Sequence, residues 1–99
     1  MAKTTSMARL LSWRQALRAC GSGWMENWFP DDEETGEPEH REIVRAAWCN
    51  GGMILDEGSS ANLRDLKKMY NRPYGLRLWA GGKPMDAERE AAPWDGEKR

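Results

Sequence analysis

Apolar positions recur at helical spacing in three blocks along the chain. Leu10, Trp13, Leu17 and Cys20 repeat at intervals of three and four, the period of one helical face. This predicts a first helix from about Met7 to Cys20, with Thr5 or Ser6 as its cap and Gly21 as its stop. In the second block Ile43, Val44, Ala47 and Trp48 form one side of a helix over Pro38 to Cys49. Pro38 suits a first turn, and Glu37, Glu39 and Glu42 lie near the positive end of the helix dipole. The run Asn50, Gly51, Gly52 then ends it. In the third block Leu63, Leu66, Met69 and Tyr70 face inward on a helix over 61–70, capped by Ser59 or Ser60 and stopped by Pro73.

Period-two alternation appears once. Tyr74, Leu76 and Leu78 alternate with Gly75, Arg77 and Trp79, which predicts a strand over 74–80. Met53, Ile54 and Leu55 suit a short strand, and pairing the two segments would be marginal on its own. The expected fold is therefore mostly α: three helices in one compact domain over 1–99, or α+β with a small two-stranded element. Leu10, Trp13, Leu17, Ile43, Val44, Trp48, Leu63 and Leu66 form the expected core. Residues 30–39 read as an acidic loop. Residues 84–99 read as a weakly structured tail, in which Asp86 caps one or two helical turns.

Length and charge sharpen this picture. Ninety-nine residues make one domain with a modest core. The net charge is −1, so nothing global draws the chain to nucleic acid or membrane. The charge is segregated, however. Residues 1–25 sum to +4, residues 26–42 to −7 and residues 61–83 to +5. No run approaches the roughly 18 apolar residues of a membrane span. The basic, acid-free N-terminus has the composition of a transit peptide. A chain this small needs its apolar residues for the core, so we read it as the first helix. The two cysteines, Cys20 and Cys49, are expected to stay reduced in a cytoplasmic protein.

No catalytic or cofactor signature is present. A metal site would have to use Cys20, His40 and Cys49, which lack the paired spacing of structural zinc ligands. The same three residues are the only nucleophile–base set of that kind, and the carboxylates crowd into one loop. Neither a phosphate-binding loop nor a dinucleotide fingerprint occurs. No metal, cofactor or enzymatic activity is expected.

The aromatics stand above this background. Six tryptophans are many for this length, and Trp24, Trp28 and Trp94 lie in segments read as irregular. Trp24, Trp28 and Phe29 are followed directly by Asp31, Asp32, Glu33 and Glu34. Aromatic anchors beside a charged rim are a common interface composition, so these seven residues are the candidate partner-binding surface. Their expected partner is a host protein or protein–nucleic-acid complex with a basic surface. Successive carboxylates of an extended chain repeat at roughly 3.4 Å, near the phosphate rise, so the loop either mimics nucleic acid or is simply solvated.

Small size, segregated charge and no active site are the profile of phage or mobile-element inhibitors of nucleic-acid machines, such as anti-CRISPR or anti-restriction proteins. The expected function is that of a non-enzymatic protein–protein interaction module of this kind. The alternative is a small DNA-binding regulator using the basic helix 61–70. Arg64, Lys67 and Lys68, with Arg72 and Arg77, would then meet phosphates or another acidic partner. About eight residues separate the second and third helices, more than a helix-turn-helix allows. A solvated helix face is the simpler account of those bases.

Overall fold

The computed structural model describes residues 7–30, 38–72, 75–85 and 89. Six strands form one sheet: β1 (Arg9–Leu10), β2 (Gly21–Pro30), β3 (Pro38–Cys49), β4 (Gly52–Leu55), β5 (Ser60–Asn62) and β6 (Leu76–Ala80). Their order is β1-β6-β2-β3-β4-β5, and every neighbouring pair is antiparallel. The described helices are α1 (Trp13–Arg18) and a single 3-10 turn over Leu63–Leu66. The expectation of a mostly α, three-helix fold is overturned.

The largest correction is at Pro38–Cys49, a twelve-residue strand where we expected a helix. Its apolar run satisfies two periods at once. Ile43, Val44, Ala47 and Trp48 fit a helix, while Val44, Ala46 and Trp48 fit a strand. In the structure Ala46 and Trp48 are buried and Val44 packs against the core, while Arg45 and Ala47 between them, and Cys49 after them, are exposed. The partner decides the matter. β2 runs antiparallel to β3 from Gly21↔Trp48 to Phe29↔His40, with a register shift before Pro30↔Pro38. Gly21, Gly23 and Pro30 make β2 a poor helix, so its backbone groups are satisfied by a ladder.

The turn after β3 also carried a signal. Asn50 and Gly51 both have positive φ, at 53° and 86°. An Asn-Gly pair at such angles is a preferred two-residue hairpin loop, and here it joins β3 to β4. The expected helix over 61–70 is also absent. Its residues are shared between β5, the 3-10 turn and irregular turns. The first helix shrinks to six residues. Ser12, rather than Thr5 or Ser6, caps it, with reciprocal bonds between Ser12 and Gln15. The strand expected over 74–80 is present in part as β6, which begins at Leu76; Gly75 lies outside it, and residue 74 is outside the described residues.

Alternation along the strands gives the sheet two faces. The inner face carries Met25, Val44, Ala46, Trp48, Met53, Leu76 and Leu78, and α1 with the 3-10 turn covers it. Leu11, Ala16, Leu63 and Tyr70 complete this core. The Trp13 indole N–H donates to the Leu63 carbonyl at 3.0 Å, which ties α1 to the turn. The Tyr70 hydroxyl donates to the Leu11 carbonyl and accepts from the Leu78 amide at 3.1 Å. Of the eight expected core residues, Trp48 and Leu63 are buried and the other six are half-buried.

Cys20 and Cys49 form a disulfide, contrary to the expected thiols. Each sits one residue beyond the Gly21↔Trp48 pair, so the ladder brings their Cα atoms to 4.0 Å.

Gly75 offers a direct test of the packing. A Cβ there would lie 1.9 Å from the Met69 carbonyl oxygen, a backbone atom that cannot rotate away. Gly75→Ala should lower the melting temperature by about 5 °C or more, since overpacking costs about 1–3 kcal/mol. At Gly52 the nearest atom is 3.6 Å away, and Gly52→Ala should melt close to wild type. Equal melting of both variants by circular dichroism would refute the close approach at Gly75.

Candidate functional site

The outer face of the sheet is where cations and aromatics meet. Even spacing along a strand keeps side chains on one side, so β2 presents Trp24, Glu26 and Trp28 together. Register places Arg45, Ile43 and Arg41 of β3 opposite them. On the other flank, Trp79 and Arg77 of β6 face Trp24 and Glu26.

The centre of this face is a buried polar cluster. Glu26 and Arg77 are both fully buried. The Arg77 Nε donates to Glu26 Oε1 at 3.0 Å, and the Trp79 indole N–H donates to the same oxygen at 2.9 Å. Glu26 Oε2 lies 3.7 Å from Arg89 Nε, and Arg77 Nη2 donates to the Arg89 carbonyl at 2.9 Å. Burial pushes the Arg77 guanidinium pKa down, while the Glu26 carboxylate pulls it back up. The cluster fixes the middle of the sheet and holds residue 89 over it.

Around that centre the cations lie over rings. Arg41 sits 4.8 Å from the Trp28 ring centroid. Arg45 and Lys83 sit 5.1 Å and 5.3 Å from that of Trp24. Arg45 and Lys83 are exposed, and Trp24 is half-buried on β2, between β3 and β6. Beside Arg45 an open groove of about 470 Å³ is lined by Ser22, Ala47, Ile54 and Asp56. Ile54 in its wall is 62% exposed.

The predicted site residues are only partly united. Trp24 and Trp28 share the outer face, while Phe29 belongs to the opposite one, by the alternation of β2. Asp31, Asp32, Glu33 and Glu34 lie outside the described residues, in the connection between β2 and β3. The basic set is dispersed. Arg64, Lys67, Lys68 and Arg72 are exposed, with Lys67 over the Trp13 ring on the layer that covers the inner face. Arg77 is buried with Glu26 and presents no charge to a phosphate. Sequence reasoning missed Arg41, Arg45 and Lys83. Trp24 and Trp28 are four apart, as are Arg41 and Arg45, which is a shared face in either a helix or a strand. Pairing the two sets required the register.

Among the described residues, no group of three or more His, Cys, Asp and Glu side chains is placed to hold a metal ion. No described helix is long and apolar enough to cross a membrane. The chain matches no family model, no curated protein and no solved structure.

Proposed function

We propose that this protein is a non-enzymatic protein–protein interaction module that docks through the β2–β3 hairpin. The observation that supports it is the composition of that hairpin. Trp24 and Trp28 stand on one face, flanked by Arg41 and Arg45, and the connection between the strands holds Asp31, Asp32, Glu33 and Glu34. Aromatic anchors beside groups of both charges suit a desolvated centre with a charged rim. A small inhibitor of the anti-CRISPR or anti-restriction type, acting on a host nucleic-acid complex in the cytoplasm, is the reading this supports best. The helix on which a DNA-reading alternative depended is not formed.

The test is capture from host lysate, followed by kinetics with the purified partner. Changing Asp31, Asp32, Glu33 and Glu34 together to Asn and Gln should slow association and flatten its salt dependence. Trp28→Ala should speed dissociation, with a loss of about 2 kcal/mol or more. Melting curves of the unbound variants separate binding from folding. Unchanged kinetics in both variants would remove the hairpin from the interface. Alkylation of thiols before lysis tests the compartment: a Cys20–Cys49 bridge already formed in cells would favour an oxidising location instead.

A further inference from the structure

The Trp24 region of the outer face supports an inference beyond that reading. Its two cations come from opposite sides, Arg45 from β3 and Lys83 from the segment after β6. Both are exposed, and both approach the same indole. The indole holds the Arg45 guanidinium near its ring and leaves polar N–H edges for an incoming anion. A guanidinium placed in this way also offers a flat surface on which a planar group stacks. The adjacent groove supplies apolar walls at Ala47 and Ile54, with Ser22 and Asp56 as polar groups. Its volume of about 470 Å³ is within the range of small-ligand sites.

We propose that this face binds single-stranded nucleic acid, with phosphates on Arg45 and Lys83 and a base against the Arg45–Trp24 pair and the groove. Three features favour this ligand over an acidic peptide. The cation–aromatic pair repeats: Arg41 lies over Trp28, four residues along β2 and thus about 13–14 Å away. A repeating pair matches a polyanion with repeating planar groups. Asp56 at the groove accepts from an exocyclic base amine, a donor that carboxylate side chains lack. Residue 89 covers the centre of the face over Glu26 and Arg77, so the accessible surface is a strip along Trp24, Arg45 and the groove, which suits unstacked bases and not a duplex.

The test uses the full chain and fluorescein-labelled oligo-dT and oligo-dC of about 12 nucleotides, read by anisotropy. Two phosphate-bound cations predict a slope of log affinity against log salt of about −1.4, a loss of roughly sevenfold between 50 and 200 mM salt. Arg45→Gln/Lys83→Gln should weaken binding about tenfold or more at low salt and reduce the slope by about 1.4. Arg45→Lys should keep the slope and still lose about fivefold or more, because the stacking plane is removed. Arg64→Gln/Lys67→Gln/Lys68→Gln, on the layer over the other face, should bind as wild type. The result that overturns the proposal is any of four: no binding to either oligonucleotide at 50 mM salt, equal affinity for duplex, equal weakening by the triple variant, or tighter binding of poly-glutamate. The last would assign the face to an acidic protein partner. Since the probes contain no host protein, these outcomes are independent of the hairpin docking proposed above.

Discussion

Arg77→Met should cost about 3–5 kcal/mol of folding stability, the usual effect of removing one partner from a buried ion pair. Glu26 would remain fully buried in the middle of the sheet, with Trp79 still donating but the guanidinium gone. The Arg89 side chain, 3.7 Å from the other oxygen, is a weak substitute. Domains of this size have about 5–15 kcal/mol in total, so the variant should melt far lower or fail to fold. The double variant Glu26→Gln/Arg77→Met separates charge from packing. A glutamine oxygen still accepts from the Trp79 indole, and no charge is left behind. Exchange of a whole buried pair for neutral groups is often close to neutral, so the double variant should recover at least half of the loss. Urea unfolding measures all three proteins. A loss below about 1 kcal/mol for Arg77→Met alone would mean that water reaches Glu26 and that the cluster is not buried.

Reduction of the Cys20–Cys49 bridge should cost about 3–4 kcal/mol, by the chain-entropy relation for a sequence separation of 29. The effect acts on the unfolded chain. In the folded protein the β2–β3 ladder already brings the two Cα atoms together, so the hairpin persists without the bond. Cys20→Ser/Cys49→Ser should therefore keep the wild-type circular dichroism spectrum and melt lower by about 10 °C or more. The same shift should appear when the wild-type protein is melted with excess reductant. If the spectrum itself changes, the bridge determines the hairpin. If the melting temperature does not move, the pair is not bonded in solution.

These two predictions rest on contacts that no local pattern announces. Glu26 and Arg77 are 51 positions apart and became partners only when β6 was laid beside β2. Read alone, Glu26 belongs to an acidic block and Arg77 to a basic one. Each suggests exposure. The candidate face has the same origin. Trp24 and Trp28 were legible as anchors from composition, but Arg45 and Arg41 reach them through register, and Lys83 through the path of the chain after β6.

The sequence by itself determined the strand ending at Ala80, where Leu76 and Leu78 alternate with Arg77 and Trp79 on a two-residue period. It also marked the Asn50–Gly51 reversal, although the backbone there turns a hairpin and does not end a helix. Tertiary structure decided the rest. Short apolar runs such as Ile43–Trp48 fit helix and strand alike, and hydrogen bonding breaks the tie. A helix satisfies its backbone locally, whereas Gly21–Pro30, with Gly21, Gly23 and Pro30, needs a neighbour's ladder. Once β2 required a partner on each side, β3 and β6 became strands, and the faces, the buried pair and the cationic surface followed from their register.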